Sequence, residues 1–100
     1  MWTNPFEVPD DTGVALQLTL METYADGEMT RADFVAEWLE ARQQVADANE
    51  PVGGDLADLL DSVTSDVEDY AANPRPEPDD PSEDPLREDV HQARNSLGHL

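Results

Sequence analysis

Apolar residues recur every three or four positions in four separate stretches of this chain, and that spacing is typical of amphipathic α-helices. No segment shows the sustained alternation of apolar and polar residues that indicates a half-buried β-strand, and β-branched residues are few. The connections between the first three stretches are short, which favours helices that run antiparallel to one another. The predicted fold class is therefore all-α, an antiparallel four-helix bundle.

Local signals predict where each helix begins and ends. The first helix follows the capping side chains of residues 10–12 and ends at Gly27, and the second begins at Thr30 and runs to about Asn49. The third begins near Asp55 and ends before the Asn73–Pro74 pair, because proline cannot continue a helix. The fourth begins at Asp84–Pro85, a capping residue followed by an N1 proline.

One hundred residues predict a single helical domain over residues 1–100, since this is the size of one ordinary domain. Residues 1–9 form a lead with two prolines, which is predicted to be extended and to pack back on the core. Residues 74–85 hold five prolines and five acids and are predicted to form an acidic linker before the last helix.

The charge of the chain is strongly unbalanced. It holds 24 acids against five basic side chains, all of them arginine, and its formal net charge is -19. Such a surface repels nucleic acid and anionic membranes, whereas it attracts basic protein surfaces. A solvated surface adapted to high salt remains an alternative explanation of the same charge.

The chain contains no cysteine, which excludes disulfides and thiolate zinc sites. The first ten residues lack the positive and apolar regions of a signal peptide, and no apolar run approaches the roughly 20 residues of a spanning helix. We therefore expect a soluble, cytoplasmic protein.

Few side chains could perform catalysis. Four serines are present, but the two histidines, His91 and His99, lie near the C-terminus, and no glycine-framed turn surrounds any serine. Residues 26–34 read like the second half of a calcium-binding EF-hand loop, yet Tyr24 occupies a ligand position and the last ligand would be the short Asp33. A helix, a glycine turn and a second capped helix is the favoured interpretation. The prediction is a protein that is not an enzyme and that holds no cofactor or metal.

The remaining candidate activity is binding through carboxylates. The third helix presents acids about one turn apart, and the proline-rich linker adds more. Because like charges three or four residues apart on a helix repel each other, this placement indicates a surface that faces a basic partner. The candidate partner-binding residues are Asp55, Asp58, Asp61, Asp66, Glu68, Asp69, Glu77, Asp79 and Asp80.

Three segments resemble the bacterial self-protective, colicin D-type immunity proteins. The first is Tyr24-Ala-Asp-Gly-Glu-Met-Thr-Arg-Ala-Asp-Phe34, which places a glycine before a helix opening and an aromatic, with Trp38 following. The second runs from Asp55 to Tyr70 and matches a helix that ends in acidic residues and a tyrosine. The third is the terminal Leu-Arg helix from Leu86 to Leu100. The likeness spans about residues 14–100, although this chain lacks lysine and has an unusually proline-rich linker.

The resemblance implies a four-helix bundle that neutralises a basic, tRNA-cleaving ribonuclease toxin domain in a 1:1 complex, with no direct contact to nucleic acid or membrane. In that family, acidic residues take the place of tRNA phosphates in the cleft of the toxin. The resemblance implies the same role here for the candidate residues from Asp58 onward. Two alternatives stay open. The chain could be an acidic adaptor or nucleic-acid mimic for other basic proteins, or a salt-adapted structural domain without a partner.

Overall fold

The computed structural model describes residues 1–73 and 84–99 of the chain. These residues form a 3-10 turn and four α-helices, and the single pair of bridged extended residues joins Trp2 to Val52. The helices are α1 (Gly13–Ala25), α2 (Arg31–Ala48), α3 (Gly54–Ala72) and α4 (Pro85–Leu97). The predicted all-α four-helix bundle is thus confirmed.

Three helices begin at the side-chain caps that the sequence predicts. The Thr12 hydroxyl accepts a hydrogen bond from the Ala15 amide, and the Thr30 hydroxyl accepts one from the Asp33 amide, both at 3.2 Å. The Asp84 carboxylate caps α4 in the same way, with Pro85 following it. These bonds satisfy amides that have no partner inside their own helix.

Two turns end the first two helices in left-handed backbone conformations. Gly27 has φ of +79°, and Asn49 has φ of +52°, both in the region that glycine and asparagine tolerate best. Residues 26–34 are therefore a helix end, a glycine turn and a capped helix start, as the sequence favours.

Neighbouring helices pack in the cyclic order α1, α2, α3, α4 and back to α1. Along α2 and α3 the contacts run in opposite chain directions: Arg31 lies over Tyr70, Trp38 bonds Thr64, and Arg42 pairs with Asp61. These two helices are therefore antiparallel, and α3 lies diagonally across the bundle from α1.

The core contains an aromatic row between α1 and α2. The Tyr24 and Phe34 ring centroids are 4.4 Å apart, and those of Phe34 and Trp38 are 5.5 Å apart, both in tilted arrangements. The indole nitrogen of Trp38 donates to the Thr64 hydroxyl at 3.0 Å, so its polar atom stays paired inside the core. Aliphatic side chains surround this row: Val14, Leu20, Met21, Leu56, Leu60, Val63, Val67, Leu86 and Val90.

A buried polar cluster joins all four helices at one end of the bundle. Asp84 is 1% exposed, accepts a hydrogen bond from the Tyr24 hydroxyl, and pairs with Arg31 at 2.8 Å. Arg31 in turn lies 4.7 Å from the centroid of Tyr70. We call Tyr24, Arg31 and Asp84 the Asp84 cluster. It ties the start of α4 to α1 and α2.

The lead does pack back, but it is not extended throughout. The Trp2 amide donates to the Pro51 carbonyl at 2.6 Å, and the Gly53 amide donates to the Trp2 carbonyl at 2.9 Å. Between this attachment and α1, residues Pro5–Glu7 form a 3-10 turn capped by the Asn4 side chain. Pro5 suits the first position of this turn, because the amide that proline lacks would have no partner within the turn.

Candidate protein-binding surface

The third helix presents its predicted acids on the side that faces away from the core. Its apolar positions are buried, whereas Asp55, Asp58 and Asp69 are exposed on the opposite side. With 3.6 residues per turn, Asp66 falls toward the α4 edge, and Asp61 and Glu68 fall toward the α2 edge. We call this set the α3 acidic face: Asp55, Asp58, Asp61, Asp66, Glu68 and Asp69.

One edge of the α3 acidic face is partly neutralised. Arg42 on α2 pairs with Asp61 at 2.8 Å, with both side chains well exposed. An exposed pair of this kind contributes little to stability, about 0–1 kcal/mol.

The other edge brings two carboxylates together. Asp66 is half-buried and lies within hydrogen-bonding reach of Asp89 on α4. Burial, followed by the charges of Asp89 and Asp69, raises the pKa of Asp66 above its ordinary value. The free protein therefore holds like charges at the α3–α4 edge at a cost in stability.

Three other arginines take up places away from the α3 outer side. Arg31 belongs to the buried Asp84 cluster, and Arg94 pairs with Asp26 at 2.9 Å. Arg87 donates to the carbonyls of Tyr24 and Met29 at 3.1 and 3.2 Å. These contacts join the three arginines to groups other than the acids on the outer side of α3.

The linker acids Glu77, Asp79 and Asp80 lie outside the described residues. Asp84, the last acid of the proline-rich segment, is described, and it is buried in the core rather than displayed. Burial alone would raise its pKa, but hydrogen bonds from Tyr24 and Arg31 hold the pKa below its ordinary value. Asp84 is therefore an ionised structural residue.

Sequence reasoning missed Asp89 as a member of this surface. The apolar stripe of α4 includes Leu86 and Val90, and both are buried. A residue directly before Val90 lies at the edge of that stripe, next to the neighbouring helix. The sequence therefore places Asp89 at the edge of the apolar stripe of α4. It does not tell which helix lies beside that edge, because this depends on the packing order of the helices.

Both histidines, His91 and His99, are exposed on the surface, as the sequence predicts. Across residues 1–73 and 84–99, no group of three or more histidine, aspartate or glutamate side chains is arranged to hold a metal ion. In the same residues, no helix is both long and apolar enough to cross a membrane.

No protein-family model matches this chain, and neither the curated proteins nor the solved structures contain a significant match. The resemblance to the immunity proteins therefore rests on the residues quoted above.

Replacing Asp66 by asparagine is expected to stabilise the bundle by about 0.5 kcal/mol at neutral pH, the scale of a like-charge pair on helices. With its pKa raised in the folded state, Asp66 binds more protons folded than unfolded between the two pKa values. Stability therefore falls as pH rises through that window. Urea unfolding between pH 4 and 7 measures this slope, and Asp66→Asn should flatten it.

Asp58→Asn is the matched control, because it removes the same charge from an exposed position of α3. Equal stabilisation by both substitutions would mean that net charge, not the contact with Asp89, governs the effect.

Proposed function

We propose that this protein is an immunity protein that binds and neutralises a basic, tRNA-cleaving ribonuclease toxin domain. The α3 acidic face enters the cleft of the toxin, where its carboxylates take the place of RNA phosphates. Asp89 of α4 joins that face, and Glu77, Asp79 and Asp80 of the linker are further partner-binding acids under this proposal.

The observation that carries the proposal is the meeting of Asp66 and Asp89 at the α3–α4 edge. Two carboxylates held in contact destabilise the free protein, and an arginine or lysine from outside would offset that repulsion. A cleft that cleaves tRNA must present such cations to bind phosphate. The repulsion between Asp66 and Asp89 that destabilises the free protein is thus relieved in the complex, which favours binding.

The spacing of the acids suits the same partner. Carboxylates one helical turn apart lie about 5.4 Å apart along the axis of α3, so several can meet basic side chains at once. The net charge of -19 also acts at a distance. Opposite charges can raise the association rate from about 10⁵–10⁶ to 10⁸–10⁹ M⁻¹s⁻¹ at low salt. Fast capture is what protects a cell from a nuclease made inside it.

The test begins with the genes that flank the gene for this chain, searched for an open reading frame that encodes a basic nuclease domain. Cleavage of tRNA by that domain should stop at one equivalent of the protein. Neutralising Asp58, Asp66 and Asp69 to asparagine should lower the association rate about tenfold at low salt, with a smaller loss at physiological salt.

The matched control neutralises three exposed acids of α2, Glu37→Gln, Glu40→Gln and Asp47→Asn, and so changes the net charge equally. An equal loss from both triple variants would show that the net charge of the protein, rather than the position of the α3 acidic face, governs the association rate. If the nuclease domain does not bind at low salt, the immunity function is wrong. Equal affinity for several unrelated basic proteins would indicate an adaptor, and unfolding on desalting would indicate a salt-adapted structural domain.

A further inference from the structure

The helix α1 carries apolar residues on the two flanks of its core side as well as on the core side itself. Val14, Leu20 and Met21 are buried in the core, while Leu16 and Leu18 lie on other sides of the same helix. Glu22 is the one charged residue among the thirteen of α1. The outermost positions of α1 are the mixed set Ala15, Thr19 and Glu22. The apolar surface that α1 offers beyond the core therefore lies on its flanks, at Leu16 and Leu18.

A cleft of about 450 Å³ opens between the outer side of α1 and the lead. Its walls are mixed, since polar atoms form slightly more of its surface than apolar atoms do, and two of its lining residues are acids. The lining includes Phe6 and Val8 of the lead, Ala15, Leu18 and Thr19 of α1, and the acids Asp10 and Glu22.

The backbone of Phe6 is held in place, although its side chain packs against almost nothing. Its side chain is 95% exposed, which is exceptional for a phenylalanine. The 3-10 turn that bears it is fixed, since its amide donates to the Asn4 side chain at 3.0 Å. The Asn4 amide group also donates to Glu7 at 2.6 Å. An aromatic presented on a fixed turn loses little conformational freedom when a partner covers it, as in the anchors of protein interfaces.

The charge around the cleft selects the partner. Residues 1–30 contain no basic side chain, and they include Glu7, Asp10, Asp11 and Glu22 close to the cleft in sequence or in its lining. A second copy of this chain would bring another net charge of -19 to the same place, which opposes self-association.

We propose that this cleft binds a basic amphipathic segment of a partner protein. An apolar side chain of that segment sits between Phe6 and Leu18, and flanking lysines or arginines meet Asp10 and Glu22. Because α1 lies diagonally across the bundle from α3, this is a second surface, separate from the α3 acidic face. The proposal does not depend on the immunity function.

Two synthetic peptides of equal charge test it. One carries leucines and lysines at amphipathic helical spacing, and the other has serine in place of every leucine. Fluorescence anisotropy should show that the leucine peptide binds about tenfold more tightly or better, and Phe6→Ala should abolish that preference. Since Phe6 is almost fully exposed, its removal should leave the thermal unfolding midpoint unchanged.

Leu16→Ala is the matched control, because Leu16 is an exposed apolar residue of α1 that does not line the cleft. It should leave the preference for the leucine peptide intact, and so should the triple variant of Asp58, Asp66 and Asp69. Equal binding of the two peptides, or no effect of Phe6→Ala, would overturn the proposal. Sedimentation that shows a dimer sensitive to Phe6→Ala would assign the cleft to a second copy instead, which also overturns it.

Discussion

Replacing Asp84 by alanine is expected to destabilise the bundle by about 3–5 kcal/mol, because it removes one partner of a buried ion pair. The Asp84 carboxylate is almost completely buried and lies 2.8 Å from Arg31. It also accepts the hydrogen bond of the buried Tyr24 hydroxyl and caps α4 at Leu86. The substitution therefore removes the charge that offsets the burial of Arg31 together with the cap of α4.

Asp84→Asn separates these contributions. The asparagine amide keeps an oxygen that can cap α4 but carries no charge. The free energy of unfolding of Asp84→Asn should therefore lie between those of the wild type and Asp84→Ala. Urea unfolding followed by circular dichroism measures both variants. The control is Asp26→Ala, which breaks the exposed pair with Arg94 and should cost about 0–1 kcal/mol. Equal losses at Asp84 and Asp26 would contradict the buried-pair argument.

The Asp84 cluster also makes the stability of the bundle depend on pH in the acid range. Since the pKa of Asp84 is lower folded than unfolded, its contribution to stability is complete above the unfolded value, about 3.9. It is lost as pH falls through the lower, folded pKa. Lowering the pH from neutrality should thus first stabilise the protein through Asp66 and then destabilise it through Asp84.

The helices could be predicted from the sequence because their signals are local. Thr12, Thr30 and the Asp84–Pro85 pair each act within three residues of the helix start that they define. Gly27 marks a turn that any L side chain other than a small polar one resists. Such signals survive in a single sequence, since no tertiary contact is needed to interpret them.

The roles of the acids could not be predicted in the same way. Asp84 and Arg31 are 53 residues apart, and Glu50 bonds the Gly13 amide across 37 residues at 2.8 Å. Only the packing order of the helices brings such pairs together. Periodicity therefore placed the α3 acids on an outer side, but it could not separate an interior acid such as Asp84 from displayed ones, nor add Asp89 to the α3 acidic face.

That division of the acids sharpens what the charge means for function. Glu50 stabilises the start of α1, and Asp84 holds the start of α4, so neither is available to a partner. Within the α3 acidic face, Asp55, Asp58 and Asp69 are exposed on the outer side of the helix. Substitutions at these positions are therefore expected to leave the fold intact, which is the condition that the tests of the α3 acidic face require.

Replacing Gln17 by methionine is expected to stabilise the bundle by about 1–3 kcal/mol, the cost of leaving a buried polar group without a hydrogen bond. Gln17 is completely buried on the core side of α1, and neither its amide nitrogen nor its amide oxygen has a partner. Methionine has nearly the same length and flexibility without the two polar atoms, so it should fill the same space. Each kcal/mol should raise the thermal midpoint by about 4–8 °C for a domain of this size.

Gln44→Met is the matched control, because Gln44 is exposed on α2 and the same substitution there should change stability by no more than about 0.5 kcal/mol. Glutamine and methionine are both uncharged, so the two variants have the same net charge as the wild type. Thermal unfolding at several salt concentrations then compares their stabilities. A loss of stability at position 17 would show that the amide is hydrogen-bonded in solution, for which a buried water is the simplest partner. A gain would show that α1, the helix that lines the cleft beside the lead, carries a buried polar group at a cost in stability.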